Sequence, residues 1–333
     1  MKKKFNASLL TSIAVLAVTG SATAQGNLSR LRGQISVDGS STVYPITEAV
    51  AEEFGKLAPN VRVTVGISGT GGGFKRFAIG ETDISDASRP IKDKEHQAAV
   101  ENNVNYVEIP VAYDGLSIVV HPTNYWVDNL TVDELKKIFQ DGSKVDSWDD
   151  VRAGWPNVPM KMFVPGADSG TFDYFKEVVA ERDGSIRGDM STSEDDNQLV
   201  RGVAGTDGAI GFFGFAYYEG NKDQVKIVPI INPATGKAVT PTNATIESGE
   251  YAPFSRPLFI YVNAASLRKP EIRAFVNFYL DKGAELAEEV GYVRLPQTIT
   301  DRAKARALRS KTGSSFLDAK MKQVHGPLAE VYK

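Results

Sequence analysis

"VRVTVGISGTGGGFKRF", residues 61–77, decides the fold class. Val61 to Val65 alternates apolar and polar side chains, the period of a strand with one face covered. Five glycines follow between Gly66 and Gly73, with Ser68 and Thr70 among them. Glycine at this density lets backbone N–H groups turn inward on a bound group. From Gly73 to Ile79 the spacing is helical again. Strand, glycine loop and helix form the unit of a layered α/β domain, in which ligands collect at the carboxyl ends of the strands.

The same unit recurs on both sides. Gly33–Asp38 reads as a strand, "GSSTVYP" (39–45) as a turn, and Ile46–Leu57 as a helix with acids near its start. "TDISDASRPI" (82–91) leads to a polar helix over Lys92–Asn102. "EIPVAYDGLSIVVHP" (108–122) reads as two short apolar strands, with the chain crossing to a second domain near Pro110–Ala112. Val132–Phe139 is predicted helical, and "MKMFVPGADSGTFDYFKEVV" (160–179) is strand, loop and helix once more. "GAIGFFGFAYY" (208–218) reads as a strand and a turn. The chain crosses back near Arg256–Leu258, before a strand "PLFIYVN" (257–263), a long helix from Glu271 to Leu280, and a basic helical tail from Arg302.

The first residues read as an export signal. "MKKK" is basic, Leu9–Val18 is apolar but shorter than the ~20 residues of a membrane span, and Ala22-Thr23-Ala24 offers a small-residue cleavage site. Cleavage after Ala24 is expected, giving a mature protein in the periplasm. Loss of three leader lysines takes the formal net charge from −3 to −6. A negative surface argues against nucleic acid as a ligand, but not against a small anion held by local dipoles. The sequence has no cysteine, which excludes both a disulfide framework and lipid modification at an N-terminal cysteine.

What sits after each strand points to chemistry. Four strand ends offer hydroxyls: Ser40-Ser41-Thr42, Ser68-Gly69-Thr70-Gly71, Ser88-Arg89 and Ser169-Gly170-Thr171. A helix start carries unpaired N–H groups and about half a positive charge, so it binds anions. Ser and Thr are also the ordinary helix caps. Capping does not call for "GTGGG", since each glycine costs a helix about 1 kcal/mol against alanine. Arg89 is the only cation directly beside one of these hydroxyls, and a guanidinium fork fits a tetrahedral oxyanion.

Taken together, "GSSTVYP", "GISGTGGGFKRF", "DISDASRPI" and "PGADSGTFDYF", in this order behind a leader, resemble the periplasmic phosphate-binding proteins that serve ABC importers, the PstS family. The resemblance covers most of the mature chain. It implies a two-lobe α/β binding protein of the type II, Venus-flytrap kind, with a hinge and a central cleft. The expected lobes are residues 33–111 with 257–333, and residues 112–256. The implied phosphate ligands are Ser41, Thr42, Val43, Ser68, Thr70, Gly71, Ser88, Arg89, Ser169, Gly170 and Thr171. The expected partners are inorganic phosphate and an ABC-transporter membrane permease, with the protein a monomer, no cofactor, no metal and no catalytic residue. Better-known members carry an arginine shortly before the last Ser-Gly-Thr, where this chain has Pro165, and an aspartate where it has Ser88. Arg89 is expected to supply the missing guanidinium. Asp86, Asp114 and Asp168 are the candidates to accept a proton from phosphate, which would separate it from sulfate.

Other readings are weaker. A serine hydrolase needs a base beside its nucleophile, and His96, His121 and His325 flank no Gly-x-Ser-x-Gly elbow. The glycine run lacks both dinucleotide and P-loop spacing. Without cysteine there is no zinc set, and Glu194-Asp195-Asp196 lacks the spacing of a calcium loop. An envelope scaffold would not need four hydroxyl loops. Binding of another tetrahedral oxyanion, such as sulfate, stays open.

Overall fold

The computed structural model describes residues 28–167, 169–180, 184–193 and 195–333. The expected leader and Asp168 lie outside the described residues. The strands are β1 (Gly33–Gly39), β2 (Val61–Ile67), β3 (Ile84–Ala87), β4 (Tyr106–Val120), β5 (Lys161–Pro165), β6 (Ser191–Ser193), β7 (Ala209–Gly214), β8 (Lys226–Ile227), β9 (Ile230–Ile231), β10 (Ala238–Val239) and β11 (Ser255–Asn263). The helices are α1 (Tyr44–Leu57), α2 (Gly69–Ala78), α3 (Asp93–Glu101), α4 (Val132–Phe139), α5 (Trp148–Val151), α6 (Gly170–Val179), α7 (Asp196–Ala204), α8 (Phe215–Asn221), α9 (Asn243–Glu247), α10 (Pro270–Glu289), α11 (Gln297–Leu308) and α12 (Leu328–Val331).

One sheet runs through the molecule in the order β2-β1-β3-β11-β4-β7-β5-β6, with β8 also on β4. Its pairing directions place the loops. β1, β2 and β3 are mutually parallel. β11 is antiparallel to both β3 and β4, so β4 runs the same way as the first three strands. β7 is antiparallel to β4 and parallel to β5, which is parallel to β6. Strands of the two halves therefore point at each other. The carboxyl ends of β1–β3 and those of β5–β7 face one another where β4 and β11 cross. Two loop sets that would be harmless caps in separate domains are aimed at one cleft.

β4 is a single fifteen-residue strand, not the two short strands expected, and every residue of it is buried. Asp114 and Gly115, in its middle, both stay extended. β4 pairs with β11 as far as Gly115 and with β7 from Leu116, so it runs from one half into the other. A bulge at Leu258–Phe259 accommodates Pro110, which has no N–H to give the ladder. β7 ends in helix α8 rather than a turn. Helix α10 reaches Glu289, well past Leu280, burying Phe275, Tyr279, Leu286 and others against the sheet. The tail is helical only in α11 and the short α12.

Burial explains why these segments hold. Phe54, Phe74, Phe77, Phe139, Phe175 and Phe212 are each buried to 1% exposure or less. Each aromatic ring removes on the order of 150–250 Å² from water. In the first half Phe54 meets Phe275 edge-on, with ring centres 5.3 Å apart. In the second, Phe175 stacks on Phe212 at 3.9 Å. These rings pin α1 and α6, whose N-termini form part of the cleft.

Candidate functional site

The cleft has a volume of about 740 Å³ and is lined by Ser41, Asp114, Ser169, Gly170, Thr171 and Tyr292, among others. The first and fourth hydroxyl loops touch across it. Thr42 Oγ1 donates to the Gly170 carbonyl at 3.3 Å, and Ser41 Oγ donates to Asp173 at 3.1 Å. Thr42 is 2% exposed. Its carbonyl accepts from the Tyr292 hydroxyl at 2.7 Å, and its N–H donates to Ser40 Oγ at 3.2 Å. Val43 precedes α1 and is fully buried, so it can offer only backbone. Ser169 caps α6, accepting from the Thr171 N–H at 3.2 Å, which leaves the Ser169 hydroxyl proton to give elsewhere.

Gly170 is required by this contact. A Cβ there would lie 2.4 Å from Thr42 Cα. Gly73 has a similar reason, since a Cβ on it would lie 2.5 Å from Gly39 Cα. The glycine run thus lets α2 pack on the first loop, and α2 starts at Gly69, four residues earlier than its composition suggests. Ser68 makes no side-chain cap to α2. Thr70 Oγ1 meets Ser88 Oγ at 3.0 Å and accepts from the Ser88 N–H at 3.1 Å. The second and third loops are tied to each other in this way. Ser68 N–H donates to the Gly39 carbonyl at 3.1 Å, and Ser40 N–H to the Asp86 carbonyl at 3.0 Å, which joins both to the first loop. Of the candidate residues, Ser41, Ser169, Gly170 and Thr171 line the cleft, while Thr42 and Val43 lie just behind it and Ser68, Thr70, Gly71 and Ser88 stand beside the first loop.

Arg89 is placed differently from the expectation. Its fork is taken by Glu95, with Nη1 to Oε2 at 2.8 Å and Nη2 to Oε1 at 2.7 Å. Glu95 also accepts from Lys92 N–H at the start of α3, so the pair closes a helix cap. The guanidinium that meets the hydroxyl loops is Arg256, on β11. Its Nη2 donates to Thr42 Oγ1 at 3.0 Å, its Nε to Asp114 at 3.3 Å and its Nη1 to Glu177 at 3.3 Å. Its centre lies 3.6 Å from the centroid of the Tyr174 ring, a cation–π contact. Arg256 was legible in one respect: Ser-Arg-Pro occurs at 88–90 and again at 255–257. The first follows Ser88 but turns its fork to Glu95, whereas the second bonds Thr42 from across the fold.

The candidate carboxylates also separate. Asp114 lines the cleft and is 2% exposed. Burial raises its pKa, against the pull of Arg256. Asp86 is sealed beneath the first loop, and neither carboxyl oxygen has a hydrogen-bond partner among the described residues. Burial pushes it up to about 8. It does not line the cleft. No histidine lines the cleft either; His96 Nδ1 meets the Tyr106 hydroxyl at 2.6 Å and His121 Nδ1 meets Thr123 at 2.7 Å. Among the described residues no group of three or more His, Asp or Glu side chains is placed to hold a metal ion, and no helix is long and apolar enough to cross a membrane.

Residues 17–282 match the model of the PBP superfamily domain. The protein SphX of Synechococcus elongatus is 49% identical over 290 residues, covering 86% of this chain and 85% of SphX. The chain belongs to the PstS and SphX family of phosphate-binding proteins. The phosphate-binding protein PstS of Staphylococcus haemolyticus is 41% identical over 268 residues, covering 80% of this chain and 83% of that one. The crystal structure of a possible phosphate binding protein from Planctomyces limnophilus superposes with a TM-score of 0.82 at 46% identity, covering 84% of this chain and 99% of the other. Family membership agrees with the two-lobe α/β fold and the resemblance carried by the four loops.

Proposed function

We propose that this protein captures inorganic phosphate in the cleft between its halves and delivers it to the membrane permease of an ABC importer. The observation that carries the reading is the meeting of the Thr42 and Gly170 loops at two helix starts, with Arg256 bonded to Thr42. Hydroxyls, peptide N–H groups and one guanidinium suit a dehydrated tetrahedral anion, whose burial is costly unless every oxygen is bonded. Ser41, Thr42, Val43, Ser169, Gly170 and Thr171 form the inner cage, and Ser68, Thr70, Gly71 and Ser88 form its outer wall. In this reading the protein carries the anion unchanged rather than hydrolysing an ester. The lobes are residues 33–111 with 257–333, and residues 112–256, hinged on β4 and β11. The protein works as a monomer in the periplasm after cleavage at Ala24.

Asp114 is the acceptor for the phosphate proton. A carboxylate accepts from a protonated phosphate and repels sulfate, which has no proton to share. Because burial raises the Asp114 pKa, lowering the pH protonates it and turns it into a donor that tolerates sulfate. Calorimetric titration with phosphate and with sulfate at pH 8 and pH 5 tests this. The expected outcome is phosphate binding at both pH values and sulfate binding that gains at pH 5. Equal sulfate affinity at the two values would refute the role of Asp114; no phosphate heat at either would refute the function.

A further inference from the structure

Arg256 is bonded to parts of the chain that lie far apart in sequence. Thr42 belongs to the first half, Asp114 to the crossing strand β4, and Glu177 to helix α6 of the second half. The Tyr174 ring of α6 lies against its face. Arg256 itself stands on β11, the other crossing strand. A guanidinium has five N–H donors in a flat fork. Three of them serve these acceptors, which leaves one N–H on each terminal nitrogen beyond them. The side chain is only 14% exposed.

A group in this position cannot keep all its partners if the halves part. Thr42 bonds Gly170 and Arg256 at once, so opening the cleft separates Thr42 from the α6 side of the network. We propose that Arg256 is the closure latch of this binding protein: one guanidinium both offsets the charge of the captured anion and ties the Thr42 loop to Tyr174 and Glu177 of the opposite half. This rests on the phosphate reading above. It requires the fork and the flat face, not charge alone. A lysine would supply a point charge without bidentate geometry or stacking.

The sequence has no cysteine, so two introduced ones can be labelled specifically. Exposed Lys75 of α2 and Arg201 of α7 suit a Lys75→Cys, Arg201→Cys pair, read by energy transfer or spin–spin distance. Phosphate affinity is measured alongside by calorimetry. In the parent, inorganic phosphate should bind and change the label distance. Arg256→Ala should bind phosphate about 100-fold more weakly, having lost charge-assisted hydrogen bonds. It should also show little distance change at phosphate levels that saturate the parent. Arg256→Lys should fall between the two in both readouts. Thr42→Val, which removes the latch's acceptor but not the guanidinium, should reduce the distance change and carries the test if Arg256→Ala melts early. Arg256→Ala with parental affinity and parental distance change would overturn the latch, as would Arg256→Lys indistinguishable from the parent in both. A parent that binds no phosphate would overturn the phosphate reading itself, which separates the two failures.

Discussion

Gly170→Ala should produce a protein that folds normally and binds poorly. The added Cβ would stand 2.4 Å from Thr42 Cα, 2.7 Å from Thr42 N and 2.8 Å from Thr42 Oγ1. Two of those atoms are backbone and cannot rotate away. Restoring ordinary contact parts the two loops by about 1 Å, in an interior packed to crystal density. Overpacking of this kind costs about 1–3 kcal/mol. Here the cost falls on the closed form alone, so it appears as a rise of about 5- to 150-fold in the phosphate Kd. The backbone accepts alanine, because Gly170 is not among the residues with positive φ and it opens helix α6. Alanine is the better helix former by up to about 1 kcal/mol, so the melting temperature of the phosphate-free protein should not fall. Calorimetry gives the Kd and circular dichroism the melting curve. An alanine variant that binds phosphate within about threefold of the parent would refute the contact as the point of closure.

Three other outcomes follow from the same packing. Arg89→Ala should leave phosphate affinity unchanged, because its fork is spent on Glu95; at a partly exposed site the loss of that pair costs up to about 1 kcal/mol of stability. A marked drop in affinity on titration would restore Arg89 to the site. Asp86→Asn should flatten the pH dependence of stability. The unfolded chain loses this proton near the ordinary value of 3.8 while the folded chain holds it to about 8, so the group lowers stability as pH rises between those values and adds nothing above. Melting temperatures from pH 4 to pH 9 read the slope, and an unchanged slope in the variant would contradict the burial argument. Glu108→Ala should loosen the C-terminal tail. This fully buried carboxylate accepts from the Ser315 N–H at 2.8 Å, from the Tyr261 hydroxyl at 3.0 Å and from Ser314. Orphaning several buried donors costs about 1–3 kcal/mol each, so limited proteolysis should cut between residues 309 and 333 faster than in the parent.

The sequence shows alternation and punctuation, and where these were local the reading agreed with the structure. Val132–Phe139 is a helix at the expected residues, and Val61 opens β2 as its alternation suggests. The glycine run misled at α2, because a close approach to Gly39 across the sheet outweighs helix propensity. The two short strands expected over 108–122 are one strand for a similar reason. Asp114, in the middle of it, is held by Arg256 from the neighbouring strand. The site shows the same division. Its hydroxyl loops recur as a pattern, so they were visible. The contact of Arg256 with Thr42 was not, because the two stand 214 positions apart and no local spacing encodes that pairing. Arg89 had the right neighbours along the chain and the wrong ones in space, since Glu95 follows it one helical turn into α3.

The place of β11 in the sheet has a consequence for assembly. This strand lies between β3 and β4, although nearly all of the second half is made before it. Until Ser255–Asn263 exists, β3 and the early part of β4 each present a bare edge, and such edges invite pairing with other chains. A chain cut short before Ser255 would therefore aggregate through its first half rather than persist as half a receptor.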